Sequence, residues 1–254
     1  MNDNDTSDIK TSPVPSCEEQ GLNKKPRIFR RKKLAVTLAS ILAVLVIAGG
    51  GFMVWHEQPS FCGAICHTPM DEYLANYMQD QGVVGTDKYG NEVSNTNAMM
   101  AVLHKKNNTT AKSEIRCLDC HEPTIAEQAN EGINWVSGNY VDPLNEQTIS
   151  HMANWRGLEG SQFCANQNCH SYLLGNDGLV DYGKLEQTTM DMEFNPHGQH
   201  HGTKFECGTC HKGHRASVFA CTSCHEHENE TLPEGWVSGA EGDRILSTGL
   251  ITNA

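Results

Sequence analysis

The sequence predicts a mostly irregular chain of short α-helices behind one long N-terminal helix, with little or no β-structure. Three observations predict this class. Residues 34–55 form an uncharged, mostly apolar stretch. Five pairs of cysteines, each followed directly by a histidine, are spread over residues 62–225. The chain has only 7% aromatic residues and a mean hydropathy of −0.49, so it holds few residues for a core made of protein alone.

The cysteine pairs form five motifs, which we number in chain order. The second, fourth and fifth motifs have the regular C-x-x-C-H form and comprise Cys117, Cys120 and His121; Cys207, Cys210 and His211; and Cys221, Cys224 and His225. The first and third motifs have three and four residues between their cysteines and comprise Cys62, Cys66 and His67; and Cys164, Cys169 and His170. Paired cysteines alone would also suit a zinc ribbon or disulfides.

The histidine after each pair favours haem c over these alternatives. Two thioethers attach the porphyrin, and the adjacent imidazole binds the iron. The sequence therefore predicts five covalently bound haem c groups, which would form much of the core. This assignment uses ten of the eleven cysteines, and we interpret the remaining one, Cys17, as a thiol without a role.

Eight further histidines are available as second iron ligands. An iron with an imidazole on each face suits electron transfer, whereas an open face suits ligand binding or catalysis. His104 and His151 each precede a motif by thirteen residues, counted to Cys117 and Cys164, and we predict that both are ligands. We interpret His56, His201 and His227 as solvated surface residues.

Residues 195–236 carry a P-H-x-x-H element, a C-x-x-C-H-K-G-H element and a closing Trp236. This region resembles the end of the tetrahaem cytochrome domain of small tetrahaem cytochromes and flavocytochrome c fumarate reductases. The resemblance implies that His197, His200 and His214 are axial ligands. It also implies a flavoprotein partner of the fumarate-reductase type. The chain has no Gly-rich flavin-binding motif of its own, so we predict no flavin in this chain.

The apolar stretch 34–55 is long enough to cross a bilayer and ends at Trp55. Basic residues at 30–33 precede it directly, which by the positive-inside rule predicts a cytoplasmic N-terminus and a haem domain on the extracytoplasmic side of the cytoplasmic membrane. A cleaved signal peptide is the alternative, but the apolar length disfavours it. The predicted organisation is a disordered tail (1–33), an anchor (34–55), a pentahaem domain (56–240) and a C-terminal tail (241–254). Residues 82–97 are predicted to be an insertion loop.

Charge is divided unevenly along the chain. Residues 1–33 carry eight Lys and Arg against five Asp and Glu, whereas the part after residue 55 carries eleven against twenty-six. So acidic a domain argues against a nucleic-acid partner. It favours a redox partner with a basic docking surface.

Residues 30–123 combine a single anchor, a haem motif shortly after it and the sequence RCLDCHEP. This region resembles the membrane-anchored quinol dehydrogenase cytochromes of nitrate and nitrite reductase systems. The resemblance implies a first haem at the membrane surface beside a quinol site, with Met70 as an alternative to His67 on its iron. Because quinol oxidation releases protons, we take nearby charged residues as site candidates, namely Asp71, Glu72, Lys105 and Lys106.

We therefore expect electron transfer from membrane menaquinol to an extracytoplasmic reductase, with a flavoprotein as the expected acceptor. Whether the chain is a quinol dehydrogenase or only a carrier stays open. One alternative is a tethered electron shuttle without quinol oxidation. Another is a haem-based nitrite or hydroxylamine reductase, which the absence of a C-x-x-C-K motif disfavours.

Overall fold

The computed structural model describes residues 27–65, 67–106, 114–142, 145–192, 195–198, 204–225 and 232–249. The chain divides into two units, Met1–Gly51 and Phe52–Ala254. Several residues named above lie outside the described part: residues 1–26 including Cys17, then Cys66, His200, His201 and His227. The side chain of His67 lies outside it as well.

The long N-terminal helix α1 comprises Arg27–His56. Within it, Arg31–His56 has a hydropathy of 2.3 and no buried side chains. Ile47, for example, is 73% exposed. Length and composition therefore make α1 the one helix in the described residues that could span a membrane.

Nine shorter helices follow in the described part of the second unit: α2 (Pro59–Ile65), α3 (His67–Met78), α4 (Met100–Leu103), α5 (Cys117–Cys120), α6 (Ile125–Ser137), α7 (Ile149–Trp155), α8 (Tyr182–Thr188), α9 (Cys207–Cys210) and α10 (Gly239–Gly249). Four short 3-10 helices join them: Thr96–Ala98, Gly160–Phe163, Ser171–Leu173 and Ala220–Ser223. Strands are very short: β1 (Gly85–Thr86) pairs antiparallel with β2 (Glu92–Val93), and β3 (Val218–Phe219) pairs parallel with β4 (Val237–Ser238). The predicted class, short helices with little sheet behind one long apolar helix, is confirmed.

Local sequence explains the longest of these shorter helices, α6. Thr124 caps its N-terminus by accepting a hydrogen bond from Glu127 N, and the Glu127 carboxylate accepts one from Thr124 N. This is the capping box that a T-x-x-E sequence favours. Gly138, with a φ of 70°, ends the helix in the left-handed conformation that glycine adopts without strain.

The hydrophobic core includes residues from the segment that we predicted to be an insertion loop. Residues 82–97 form the β1–β2 hairpin and a 3-10 turn, and Val93 packs in a cluster with Ala98, Met99, Val102 and Ala216. The prediction of an insertion loop was wrong. The polar side chains of this segment stabilise the turn of a hairpin. Asp87 caps the hairpin turn by accepting hydrogen bonds from Tyr89 N and Asn91 N, and Gly90 supplies a φ of 81°.

Residues 241–249 of the predicted C-terminal tail belong to helix α10. Ile245 is 3% exposed. A Cβ on Gly242 would lie 2.7 Å from a Val218 methyl, so the helix backbone approaches β3 closely. This helix therefore packs on the domain.

Candidate haem-binding centres

The second to fifth motifs share one backbone arrangement. In each, the N–H of the motif histidine donates to the carbonyl of the first cysteine: His121 to Cys117 at 2.7 Å, His170 to Cys164 at 3.1 Å, His211 to Cys207 at 2.9 Å and His225 to Cys221 at 3.0 Å. The stretched third motif closes the same bond as the regular ones. Its extra residues form a tight turn in which Cys169 N donates to Asn166 O. The first motif includes Cys66 and cannot be compared in this way.

The motif cysteines form no disulfide among the described residues, and neighbouring motifs lie next to one another. A hydrogen bond to Cys117, with burial, raises the pKa of Cys62. A hydrogen bond from Cys164 lowers the pKa of Cys207 to about 6. These bonds bring the first motif against the second and the third against the fourth.

Burial raises the pKa of Cys120 to about 11, and the charge of Cys169 in the third motif adds to that shift, so the two residues are near enough to interact electrostatically. The Cys210 thiol, whose pKa burial raises, forms a hydrogen bond with the backbone of Ala220, the residue before the fifth motif. The motifs therefore neighbour one another in chain order.

Three motif histidines face a second histidine at nearly the same distance. The ring centroids are 6.3 Å apart for His121 and His214, 6.1 Å for His104 and His170, and 6.4 Å for His197 and His211. A metal bound between two imidazoles by bonds of about 2 Å holds the ring centres about 6 Å apart. The structure thus brings His104, His197 and His214, all predicted as second ligands, to ligand spacing from a motif histidine.

The other ring nitrogen of each second ligand is held by a hydrogen bond. Nδ1 of His104 donates to Met100 O at 2.8 Å. Nδ1 of His214 donates to Asn76 Oδ1 at 3.1 Å. Nδ1 of His197 lies 3.1 Å from Thr189 Oγ1, a hydroxyl that also lies 2.8 Å from Leu185 O and 3.0 Å from Asn195 Oδ1. The bonds of His104 and His214 leave their Nε2 lone pairs for a metal, which is the arrangement typical of histidine ligands.

Burial lowers the pKa of His214 to about 3 and that of His211 to about 4, so these two imidazoles are neutral. A neutral imidazole is the form that binds a metal. The buried Nδ1 of His211 has no hydrogen-bond partner in the described residues. Thiol pairs, neutral imidazoles and ring spacing together fit covalently attached haem with two histidines on its iron.

The chain is 49% identical over 216 residues to the cytochrome c-type protein Cgr1 of Eggerthella lenta, an alignment that covers 85% of this chain and 92% of that protein. It belongs to the Cgr1 family of c-type cytochromes. The cytochrome therefore carries covalently bound haem c and transfers electrons. No protein-family profile and no solved structure matches it.

All the predicted iron ligands of the cytochrome stay predictions, including those that have no histidine partner at ligand spacing. His151 lies exposed on α7, where its Nδ1 forms a hydrogen bond with Gln147 Oε1. Met70 is half-buried on α3, three residues after His67 and hence on the same side of the helix. His225 is exposed in the fifth motif.

His56 is not the solvated surface residue that we predicted. It is half-buried, with its ring 4.7 Å from that of Phe61 and 6.3 Å from that of Phe52. The chain turns back directly after α1, because Gln58 N donates to Trp55 O and Phe61 N donates to Gln58 O. This turn places Phe61 of α2 against the last residue of α1.

A cavity of about 550 Å³ lies beside α2 and α3, the helices that precede and follow Cys66 of the first motif. Its lining residues are Gln58, Pro59, Ser60, Leu74, Tyr77, Met78, Lys105, Lys106 and Glu114. Two of the four predicted quinol-site candidates, Lys105 and Lys106, line it. The other two, Asp71 and Glu72, lie exposed on α3 and are not among the described lining residues.

Two residues that line this cavity, Tyr77 and Glu114, were not predicted from the sequence. Tyr77 is 5% exposed, its hydroxyl donates to Ile115 O at 2.9 Å, and burial raises its pKa. Glu114 is 37 residues away in sequence and lies 3.5 Å from the same hydroxyl. Nothing in the local sequence around Glu114 signals this contact, because it depends on how the chain returns to α3.

Proposed function

We propose that this cytochrome holds five haems and carries electrons from membrane menaquinol, in the order of its motifs, to an extracytoplasmic reductase. The observation that carries the proposal is the set of three histidine pairs, each with ring centroids 6.1 to 6.4 Å apart, that would each hold one haem iron. Bound haem supplies one-electron chemistry at iron. In this proposal the first motif is the entry point for electrons and the fifth motif is the exit.

The histidine pairs favour electron transfer over substrate reduction. At the second, third and fourth motifs, two imidazoles at ligand spacing would be available to one iron. Two axial imidazoles leave no face open for a substrate such as nitrite or hydroxylamine. For the first motif we propose His67 or Met70, and for the fifth His225 with His151 or His200.

We place menaquinol in the cavity beside α2 and α3. Its volume of about 550 Å³ lies within the usual range for small-molecule sites. Leu74, Tyr77 and Met78 supply apolar walls. Lys106 and Glu114 supply a cation and a carboxylate, and Glu114 can accept a proton released from the quinol. With α1 as a membrane anchor and residues 1–33 in the cytoplasm, this cavity would receive its substrate on the extracytoplasmic side.

The acceptor is proposed on chemical grounds. The part of the chain after residue 55 is strongly acidic, so a reductase with a basic docking surface is the complementary partner. The likeness of residues 195–236 to the haem domain of flavocytochrome c fumarate reductases suggests a flavoprotein reductase.

The test is stopped-flow reduction of the purified full-length cytochrome by a menaquinol analogue, followed at the haem α-band. We expect Glu114→Gln to slow reduction by about a hundredfold, because it removes the proton acceptor. Asp71→Asn is the matched control: it removes an exposed carboxylate of the same region and should leave the rate unchanged. Dithionite should reduce all variants fully.

Two outcomes would contradict the proposal. If dithionite reduces the wild-type protein but the quinol does not, the cytochrome is a tethered electron shuttle. If Asp71→Asn is slow and Glu114→Gln is not, quinol oxidation occurs outside the cavity.

A further inference from the structure

Asn76, on α3, is a buried polar residue with a fully specified set of hydrogen bonds. It is 1% exposed. Its amide nitrogen donates to Thr86 O at 2.9 Å and contacts Met99 Sδ at 3.0 Å. Its Oδ1 lies 3.1 Å from His214 Nδ1.

These bonds decide which way the amide faces. The Thr86 carbonyl can only accept, so the atom beside it must be the amide nitrogen. The atom beside His214 is therefore the amide oxygen, which can only accept as well. Nδ1 of His214 must carry the proton, and the lone pair remains on Nε2.

The rest of the His214 residue is also held. The Tyr73 ring lies 4.9 Å away at 74° to the imidazole, and the His214 carbonyl accepts a hydrogen bond from Lys88 N at 2.9 Å. Lys88 Nζ donates to the Tyr73 hydroxyl at 2.9 Å, and Lys88 is 3% exposed. The imidazole therefore has little freedom to turn away from Asn76.

We propose that Asn76 is a positioning residue that fixes the tautomer of His214 and thereby lowers the reduction potential of the centre between His121 and His214. The inference rests on the proposed ligation by this pair. A ligand histidine that donates from Nδ1 becomes a stronger base at Nε2, which stabilises the ferric state relative to the ferrous state. Without the acceptor, the ferric state loses that advantage and the potential rises.

The position of Asn76 links two motifs. Helix α3 begins at the motif histidine His67 and carries Asn76 nine residues later. Helix α3, which begins in the first motif, thus also positions His214, the proposed second iron ligand at the second motif. Asn76 and His214 are 138 residues apart in sequence.

The test is a spectroelectrochemical titration of the purified full-length cytochrome. We expect Asn76→Leu to raise the midpoint potential of one haem by about 59 mV, which corresponds to a tenfold loss of preference for the ferric state in a one-electron couple. Asn76→Asp keeps an oxygen acceptor, so its midpoint should stay at or below that of the wild type. If the leucine variant does not mature, a midpoint for Asn76→Asp above that of the wild type contradicts the proposal.

Gln79→Leu is the matched control. Gln79 also bonds to Thr86, with Nε2 donating to Thr86 O at 2.7 Å and Oε1 accepting from Thr86 N at 2.7 Å, but its bonds are to Thr86 and Asn76 O and not to His214. A purely structural role predicts equal potentials for Asn76→Leu and Gln79→Leu, and that result would overturn the inference.

His214→Ala separates this inference from the proposed ligation. If the variant gains one high-spin haem, the ligation stands and the Asn76 variants alone decide the inference. If all its haems remain low-spin, His214 is not a ligand, and both the ligation and the inference fail.

Discussion

The His121–His214 and His104–His170 pairs have almost the same ring spacing but are held in different ways. The partner of His214 Nδ1 is Asn76, which is distant in sequence and 1% exposed. The partner of His170 Nδ1 is the hydroxyl of Tyr172, two residues further along, which is 57% exposed. The ring planes meet at 24° in the first pair and at 89° in the second.

This difference shows that the distance between two imidazole rings does not determine the angle between their planes or the surroundings of Nδ1. A separation of about 6 Å follows from placing one metal between two imidazoles. The angle between the planes and the polarity around Nδ1 depend on the residues that hold each ring. The two centres should therefore differ in potential and in the magnetic signature of the ferric state, although their ligands are the same.

The largest expected effect comes from removing one ligand from each pair. His104→Ala and His214→Ala should each turn one low-spin haem high-spin, because each leaves an iron with a single imidazole. Added imidazole should restore the low-spin spectrum at a lower concentration in His104→Ala than in His214→Ala. The reason is that His214 lies among Asn76, Tyr73 and Lys88, which would hinder the entry of imidazole at that position. Near-infrared absorption during an imidazole titration measures both effects. If the same imidazole concentration restores the low-spin spectrum in both variants, the two histidine pairs do not differ in accessibility.

A smaller effect is expected from the ion pair that follows His214 in the chain. Arg215, 2% exposed, forms a pair with Glu146 at 2.6 Å and 3.2 Å. Glu146→Gln leaves the buried guanidinium without its counter-charge and should lower the free energy of unfolding by about 3 kcal/mol.

Glu241→Gln provides the comparison for this prediction, because it breaks the exposed pair with Arg244 and should leave stability unchanged. Denaturation of both variants followed by circular dichroism measures the difference. Equal losses in the two variants would show that the Arg215 pair contributes no more than a surface pair.

The smallest effect is expected at the exposed partner. Tyr172→Phe removes the hydroxyl beside His170 Nδ1, but water can replace it at this exposed position. The midpoint of the corresponding haem should move by less than about 30 mV, about half of the 59 mV that corresponds to a tenfold change in a one-electron couple. A potentiometric titration beside Asn76→Leu compares the two directly, and a larger shift for Tyr172→Phe would reverse the comparison.

The sequence predicted the chemistry of the centres better than their assembly. The motifs predicted covalently bound haem c, which the relative at 49% identity supports, and three predicted second ligands lie at ligand spacing from a motif histidine. Their pairing did not follow from spacing: His104 precedes the second motif in the chain but lies beside His170 of the third. Contacts between segments far apart in sequence determine such pairs, and no local pattern encodes them.

No pattern in the sequence predicted the roles of the buried polar residues. Asn76 and Glu114 resemble ordinary surface residues until the chain returns to α3. Residues 82–97 show the same limit, because their polar side chains serve turns and caps within a hairpin that also supplies core residues. In each case the function of the side chain depends on a distant neighbour.

The hydrogen bond from the motif histidine to the first cysteine has a consequence for how such proteins are recognised. A search that accepts only two residues between the cysteines would count three attachment sites in this chain. The third motif, with four intervening residues, closes the same backbone bond, because the extra residues form a turn between fixed ends. Surveys that score this bond in a structure would include stretched motifs as candidate haem sites, which a fixed-spacing pattern leaves out.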